Sequence, residues 1–476
     1  MRLTTLAAAL VAVTLMSACA DMSGVAGSEA KLRDAASVGL TNAGANADTN
    51  QTVRTDWWVD FGDTNLTALI NQALADAPSL KMAKARLAKA EAVADVSHSA
   101  LMPTLGLDVE GTRQLFTQNS IYPPPLGGNI YNVGTAQLEA GWEIDFFGKN
   151  HDALSAALGA ARAAQADAEA ARILLATNVA RTWFQLGRIN AQLDVAKRSL
   201  AQRQEMLGLV KDRVSAGLDT KVELRQSEGG IPDARLQIEI LEEQAQISRH
   251  ALAALIGTPA QADAIKAPVL STLRAQSLAN VIPLNLLGLR PDIAAARFRV
   301  EAATGDVGSA KSLFYPNVNL TAFAGFSSIG FGRLHEASST QWGIGPAIRL
   351  PIFEGGKLRA NLRVKNADLD TAIESYNATL IDAVRDVADQ VASNQSISRQ
   401  RMQQELSQKA TEDAYDLAMQ RYKAGIGNYL QVLATETAVL NQRRQAIDLL
   451  ARSFDTQVAL IRALGGGYTA NQNSLK

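Results

Sequence analysis

The chain of 476 residues has one cysteine, few aromatic residues (5%) and a formal net charge of −1. A single thiol cannot form a disulfide within the chain and cannot build a cysteine metal site. The near-zero charge and the lack of a basic cluster argue against a nucleic-acid partner. A chain of this length must therefore be held together by packing or by association with other chains.

Signatures of enzymes are also missing. The four histidines are scattered without metal-ligand spacing, and the chain has no phosphate-binding glycine loop and no Gly-x-Ser-x-Gly turn. We therefore expect no catalytic residue, no metal and no cofactor, and we interpret the chain as a non-enzyme. Abundant alanine with few aromatic residues favours long, closely packed helices over a globular β core.

Residues 1–18 have the features of a bacterial export signal. Arg2 is the positive end, and the apolar run from Leu6 to Leu15 is too short to span a bilayer. The signal leads into Met16-Ser17-Ala18-Cys19, which resembles a lipobox, so we expect Cys19 to carry a covalent lipid; an ordinary secretory signal is the alternative. By analogy with other lipoproteins, Ala20 favours the outer membrane. Residues 19–55 are small and polar, which predicts an extended tether.

The rest of the chain contains two copies of one unit. Pro78 and Pro103 recur 213 positions later as Pro291 and Pro316. From the following segment onward the offset is 208, and it relates Gly148 to Gly356, Arg213 to Arg421, Gly217 to Gly425 and Gly257 to Gly465. Constant offsets predict a first repeat over 56–260, a linker over 261–283, a second repeat over 284–466 and a tail over 467–476.

Each copy has a segment in which apolar residues alternate with period two. The pattern predicts strands at about 104–112, 135–145, 317–325 and 340–350, as expected of membrane-spanning strands; a soluble hairpin is the alternative. The alternating residues are Leu105, Leu107, Val109, Leu138, Ala140, Trp142, Ile144, Val318, Leu320, Ala322, Trp342, Ile344, Pro346 and Ile348. No later run of about 18 apolar residues predicts a transmembrane helix.

Long helices are predicted after both hairpins. Residues 149–215 lack proline, and residues 357–424 lack glycine and proline, so each helix would reach roughly 100 Å. Their apolar stripes are Ile173, Leu174, Val179, Trp183 and Leu186, and Ile373, Tyr376, Leu380, Val384, Val387 and Val391. A turn and a returning helix follow each. Glu228-Gly229-Gly230-Ile231-Pro232 is expected to interrupt and kink the first returning helix.

The predicted fold is mainly α with a small β part, built from a duplicated unit of helix, β-hairpin, long helix and returning helix. Four strands cannot close around a lumen, and an open sheet would expose unpaired backbone groups to lipid. Several copies of the chain must therefore pool their strands. This argument requires an oligomer without giving its number.

The doubled layout resembles the TolC/NodT family of outer-membrane efflux proteins from Trp57 to Gly465. The motifs that carry the resemblance are Arg290-Pro291-Asp292-Ile293, Phe314-Tyr315-Pro316, Leu350-Pro351-Ile352-Phe353-Glu354-Gly355-Gly356 and Arg421-Tyr422 before Gly425. The resemblance implies a homotrimer with a twelve-stranded β-barrel and a long periplasmic α-helical barrel.

Its implied function is the lipid-anchored outer-membrane exit duct of a tripartite system that exports small molecules or drugs. The implied partners are a periplasmic adaptor and an inner-membrane transporter of the RND type. A duct for type I protein secretion and a periplasmic coiled-coil scaffold are the alternatives.

The resemblance also implies that adaptors dock at the two turns between long and returning helices. The matching positions are Arg213, Ala216, Gly217, Leu218, Arg421, Ala424, Gly425 and Ile426. Helix capping alone is the alternative, because glycine ends helices and arginine stabilises their last carbonyls. Related channels narrow through acidic residues near these turns. Asp212 and Asp416 are therefore candidate aperture acids, with solvated helix surface as the alternative.

Overall fold

The computed structural model describes residues 22–33, 53–119, 121–274 and 290–469. The predicted signal, Cys19, residues 34–52 of the tether, residues 275–283 of the linker and residues 470–476 of the tail lie outside the described residues. The predictions made for them stay predictions.

Seven α-helices and four strands make up most of the described chain. The first copy and the segment before it comprise α1 (Thr64–Asp76), α2 (Pro78–Ser99), β1 (Thr104–Leu115), β2 (Ile130–Ile144), α3 (Lys149–Ser215) and α4 (Lys221–Leu255). The second copy comprises α5 (Pro291–Ser312), β3 (Asn317–Ile329), β4 (Thr340–Arg349), α6 (Lys357–Lys423) and α7 (Tyr429–Ala463). The predicted mainly helical, duplicated fold is confirmed.

Corresponding helices of the two copies have equal lengths. Helices α2 and α5 have 22 residues each, α3 and α6 have 67, and α4 and α7 have 35. At about 1.5 Å per residue, the long helices extend ~100 Å. None of the helices in the described ranges is long and apolar enough to cross a membrane.

The four strands form one antiparallel sheet in the order β1-β2-β3-β4. Leu105 pairs with Ala140, Ala140 with Ala322, and Ala322 with Ile344. Since side chains alternate between faces, this register places all the alternating apolar residues of the sequence on one face of the sheet. The other face carries mainly polar residues, among them Asp108, Glu110, Gln137, Glu139, Asn319 and Gln341.

Strands β1, β2 and β3 are longer than the sequence pattern predicted. The β1–β2 ladder continues from Thr112 opposite Val133 to Leu115 opposite Ile130. Polar residues and glycine interrupt the apolar alternation there. The backbone pairing therefore extends beyond the residues that the sequence pattern could identify. Strands β1 and β4 are the edges of the sheet, and the apolar face of the isolated chain is largely exposed.

Both long helices begin after a glycine in the left-handed region, Gly148 at φ 79° and Gly356 at φ 85°. Most residues of the predicted apolar stripes are buried or half-buried, including Trp183 and Leu380. Leu174 was predicted to lie on the buried apolar stripe, but its side chain is exposed. A helix turns about 100° per residue, so Ile173 and Leu175, which are buried, direct Leu174 away from the core.

The predicted interruption of the first returning helix is wrong, whereas the kink predicted at Pro232 stays a prediction. Helix α4 runs without a break from Lys221 to Leu255 with Pro232 inside it. Proline removes one backbone donor, the one that would bond the carbonyl of Glu228. Burial of Ala234, Ile238 and other residues after the proline keeps α4 packed.

Residues 22–33, the described part of the predicted tether, lie against α6. Asn366 donates to the carbonyl of Ala26 at 2.6 Å, and Asn377 donates to the carbonyl of Lys31 at 3.0 Å. Asp370 accepts from the Ser28 hydroxyl at 2.6 Å. Met22 and Val25 also pack against the buried cluster that contains Phe314 and Leu362, so both hydrogen bonds and apolar contacts hold this segment in place.

Candidate functional site

Each long helix ends in a tight turn, and the first turn (216–220) and the second turn (424–428) together are called the tip. Gly217 has φ 74° and Gly425 has φ 76°, the left-handed conformation that ends a helix at little cost for glycine. Leu218 N–H bonds the Arg213 carbonyl at 2.9 Å, and Ile426 N–H bonds the Arg421 carbonyl at 3.0 Å. The two turns therefore have the same backbone geometry.

The returning helices begin with capping side chains. Thr220 and Glu223 form a capping box at the start of α4, and the Asn428 side chain accepts from the Gln431 N–H at 2.9 Å at the start of α7. Such caps satisfy donors that have no partner within the helix. The sequence reasoning missed these caps, although Thr-x-x-Glu is a recognisable signal.

Apolar side chains project from both turns. Leu218 is 65% exposed and Ile426 is 71% exposed. Three further exposed apolar residues near the tip were missed from the sequence, namely Val222, Leu417 and Leu430. Exposed apolar groups concentrated at the end of a ~100 Å helix pair are typical of a surface for another protein.

Arg213 joins the first turn to the second. Its Nε donates to Asp219 Oδ2 at 2.9 Å, and its Nη1 donates to the Tyr422 carbonyl at 3.3 Å. The guanidinium lies 4.6 Å from the centroid of the Tyr422 ring, and the Tyr422 hydroxyl donates to Asp219. Arg421, its counterpart in the repeat, is exposed. The two arginines thus differ in their contacts.

The charges within this network reinforce one another. The hydrogen bond from Arg213 holds the pKa of Asp219 below its ordinary value, and the Tyr422 hydroxyl adds to this effect against the opposing effect of burial. Burial, followed by the hydrogen bond to Asp219, raises the pKa of Tyr422. The aspartate therefore stays ionised and the phenol stays protonated over the whole neutral range.

A cluster of buried apolar residues lies next to this network. Val210 of α3, Ala418 and Tyr422 of α6, and Tyr429 and Val432 of α7 form one buried cluster. Arg203 of α3 lies further from the turns, with its Nε 3.1 Å from Glu436 Oε1 and its Nη1 donating to the Gly230 carbonyl at 3.0 Å. These contacts join the helix pair α3 and α4 to the pair α6 and α7, both at the tip and further along the helices.

The candidate aperture acids lie outside this network. Asp212 and Asp416 are exposed on the surfaces of α3 and α6. The acid at the centre of the network is Asp219, which the sequence reasoning missed. Its counterpart in the second copy is Gly427, so a difference between the two copies was the available signal. Within the described residues, no group of three His, Cys, Asp or Glu side chains could hold a metal ion.

The model of the outer membrane efflux protein family matches residues 69–258 and 282–466. The chain belongs to this family. The two matched stretches coincide with the two copies of the repeat. The family consists of channels rather than enzymes, and this efflux protein is an exit duct of the outer membrane. The predicted resemblance, the function as an exit duct of an efflux system and the outer-membrane location are confirmed, whereas the lipid anchor and the specific partners stay predictions.

Relatives of this efflux protein support the same conclusion. It is 37% identical to the fusaric acid resistance protein FusA of Burkholderia cepacia, over 76% of this chain and 69% of that protein. It is 32% identical to the toluene efflux pump outer membrane protein TtgF of Pseudomonas putida, over 87% of this chain and 85% of that protein.

A solved structure has the same fold as this efflux protein. The outer membrane protein VceC of Vibrio cholerae aligns with a TM-score of 0.83 and 34% identity, over 88% of this chain and 100% of that one. The match covers the whole of VceC, so the tip and the sheet belong to one shared architecture.

Replacing Asp219 with asparagine is expected to loosen the tip. Arg213 loses its ionic partner, which costs on the order of 1–3 kcal/mol for a charged hydrogen bond. The lowered pKa of Asp219 means that its stabilisation is present above the ordinary aspartate range and is lost as the pH falls through that lowered value. Trypsin should cleave the Asp219→Asn protein faster after Arg213 at pH 7. Asp212→Asn is the control, and equal cleavage of both variants would contradict the role of Asp219.

Proposed function

We propose that three copies of this efflux protein form a lipid-anchored duct for small organic molecules. The duct is engaged at its tip by a periplasmic adaptor and supplied by an inner-membrane transporter of the RND type. The observation that carries the proposal is the exposed apolar tip, which lies ~100 Å of helix away from a sheet with one apolar face.

The sheet supports association of copies. Among the residues that the structure describes, β1 and β4 each leave one row of backbone donors and acceptors without a strand beside it. Such edges are satisfied when copies pair β1 of one chain with β4 of the next. Three chains would then contribute twelve strands, with the apolar face directed toward lipid and the polar face toward the lumen.

The tip supports the adaptor. Leu218 and Ile426 extend from a base that Arg213, Asp219 and Tyr422 hold in place, so a partner would meet a preformed surface. We assign docking to Arg213, Ala216, Gly217, Leu218, Arg421, Ala424, Gly425 and Ile426. In this assignment Arg213 positions the turns, while the exposed residues make the contacts.

The substrate class follows from the relatives. FusA is named for resistance to fusaric acid and TtgF for a toluene efflux pump. Both compounds are small organic molecules with an aromatic ring. We therefore propose small organic compounds as the cargo of this chain.

The double variant Leu218→Asp, Ile426→Asp is expected to abolish export while the trimer persists, because two charges would be placed on an apolar docking surface. The measurement is the minimal inhibitory concentration of apolar drugs in a deletion strain complemented with each variant. Ile121→Asp changes an exposed apolar residue of the β1–β2 loop and is the matched control. Full resistance with the double variant would reject docking at the tip. A defect in exported proteins, with unchanged drug resistance, would indicate protein secretion instead.

The lipid on Cys19 has a separate test. The wild-type chain is expected to incorporate labelled palmitate, and Cys19→Ser is expected to lose all label, since it is the only cysteine of the sequence. Absence of label in the wild-type chain would favour the ordinary secretory signal.

A further inference from the structure

A cavity of about 450 Å³ lies where the sheet meets the long helices. Three junctions line it, namely that of β2 with α3, that of α5 with β3 and that of β4 with α6. All three belong to one chain, so a single chain builds the cavity. Ligand sites for small organic molecules usually have volumes of roughly 300–1,000 Å³, and this cavity falls within that range.

The cavity opens on the side of the chain that the proposed duct turns toward its lumen. Glu143, Asn317 and Arg349 line it, and the strand register places all three on the polar face of the sheet. Lys357 of α6 lines it as well. At 3.6 residues per turn, Lys357 points roughly 180° away from Asn366, which bonds the tether on the outer side of α6.

Phe146, Phe147 and Tyr315 form an aromatic wall of the cavity. The rings of Phe147 and Tyr315 are stacked, with their centroids 4.8 Å apart and their planes at 11°. Phe146 is 65% exposed and Phe147 is 42% exposed. Aromatic rings pair favourably with other rings in offset or edge-to-face arrangements, so this wall suits a ligand that is itself a planar ring.

Two of the three acids that line the cavity have partners nearby. Lys149 Nζ lies 2.5 Å from Glu143 Oε1. Asp145 Oδ2 accepts from the backbone N–H of Asn150 at 3.0 Å and from that of His151 at 2.8 Å, which satisfies donors in the first turn of α3. The charges of these two acids are therefore already engaged at the start of α3.

Two cations of the lining remain, Arg349 at the end of β4 and Lys357 at the start of α6. Both are exposed, and neither forms an ion pair within the part of the chain that the structure describes. Glu354 is the third acid of the lining, so two positive charges face one negative charge. Helix α6 also begins without a side-chain cap among the described residues, and the positive end of its dipole adds to this balance.

We propose that the cavity is a binding site for planar organic acids on their way through the duct. Arg349 and Lys357 hold the carboxylate of the ligand, and the aromatic wall holds its ring. This inference rests on the proposed lumen of the trimer and names one class of cargo. A guanidinium can bond both oxygens of a carboxylate at once, and the excess of positive charge disfavours a cation of the same shape.

Equilibrium dialysis tests the site with the full-length protein in lipid nanodiscs. The three probes are 1-naphthoate, the neutral 1-naphthamide and the cationic 1-naphthylmethylammonium, and empty nanodiscs correct for partitioning into lipid. The wild-type protein is expected to bind 1-naphthoate more tightly than the other two probes. The double variant Arg349→Gln, Lys357→Gln is expected to bind 1-naphthoate about tenfold more weakly or less tightly still, because charged hydrogen bonds are lost.

The matched control is Arg363→Gln, because Arg363 is an exposed arginine of α6 outside the lining of the cavity. It should bind 1-naphthoate like the wild-type protein. Phe146→Ala is expected to weaken the binding of all three probes while the preference for the acid persists, because this change removes only a ring. Equal affinities of the wild-type protein and the double variant for 1-naphthoate, or tighter binding of the cation than of the acid, would overturn the proposal.

Growth of a complemented deletion strain separates failure of the site from failure of the duct. The wild-type chain is expected to raise the inhibitory concentrations of an apolar drug and of 1-naphthoate, and the double variant is expected to lower that of 1-naphthoate several-fold. A wild-type chain that raises neither concentration would overturn the proposed export function. Restored drug resistance, together with purified protein that binds no 1-naphthoate, would overturn the site alone.

Discussion

Gly305→Leu is expected to eliminate the folded protein from the outer membrane. A Cβ at Gly305 would lie 2.8 Å from the backbone N of Ala156 and 2.8 Å from the backbone O of Asp152. Gly159 approaches α5 in the same way, with its Cβ position 2.9 Å from the backbone N of Ala302. Helices α3 and α5 therefore cross in direct backbone contact, which only glycines allow.

The size of the effect follows from what the new side chain would meet. Backbone atoms cannot rotate aside, so a leucine must separate α3 from α5 and unpack the surroundings of the crossing. Inserting extra methylenes into a packed core typically costs about 1–3 kcal/mol even where side chains can adjust, and four carbon atoms against fixed backbone should cost more, compared with a total stability of roughly 5–15 kcal/mol. Gly305→Ala adds a single carbon and is expected to have an intermediate effect.

Gly208→Ala is the matched control, because a Cβ at this helical glycine of α3 has nothing within 4 Å. Alanine there should stabilise the helix by about 1 kcal/mol through its higher propensity. The measurements are the amount of protein in the outer membrane and the denaturant midpoint of the purified chain. Normal levels of the Gly305→Leu protein would show that the crossing can open and that this account is wrong.

The contrast between these glycines shows where sequence reasoning ends. Gly208, Gly305 and Gly159 all lie inside long helical patterns, and nothing in the neighbouring residues separates a crossing point from an open surface. Gly217 and Gly425, in contrast, could be assigned from the sequence because each lies just past the end of a predicted long helix and recurs at the same place in the repeat. Local signals identify turns, whereas contacts between distant helices depend on the tertiary fold.

The sheet was largely predictable for the same reason. Alternation of period two is a local property, and it placed the four strands and their apolar face. The tip network was not predictable, because Tyr422 and Asp219 are separated by 203 positions. Arg213 and Arg421 looked equivalent in the repeat, and only the fold shows that Arg213 alone reaches across to the other turn.

Arg290, the first residue of the Arg290-Pro291-Asp292-Ile293 motif, contacts three helices. Its Nη1 donates to the carbonyl of Ala463, the last residue of α7, at 3.1 Å. Its Nη2 donates to Asp292 Oδ2 at 2.7 Å and lies 3.6 Å from Asp386 Oδ2. One guanidinium thus joins the end of α7, the start of α5 and the side of α6.

Arg290→Met is expected to destabilise the folded chain by about 1–3 kcal/mol, because the arginine side chain is 10% exposed but that of its partner Asp292 is 43% exposed, so solvent screens the ion pair. Methionine retains most of the packing of the side chain, while the Ala463 carbonyl and Asp292 lose their partner. Burial raises the pKa of Asp292, but the hydrogen bond and charge of Arg290 outweigh it and hold that pKa below its ordinary value. In the wild-type chain this stabilisation is present above the ordinary aspartate range and is lost as the pH falls through the lowered pKa, and the variant should lack that dependence.

The control for Arg290→Met is Arg297→Met, on helix α5, which begins directly after Arg290. The Arg297 side chain is 71% exposed and lies 3.7 Å from Glu301, whereas that of Arg290 is 10% exposed. An exposed pair contributes about 0–1 kcal/mol, so the control should unfold close to the wild-type midpoint. The measurement is denaturant unfolding of both variants from pH 7 down through the ordinary aspartate range to below about pH 3, where the dependence on Asp292 is expected. Because the two substitutions remove the same group from one helix, equal midpoints would mean that the junction of α5, α6 and α7 is held by its apolar contacts alone.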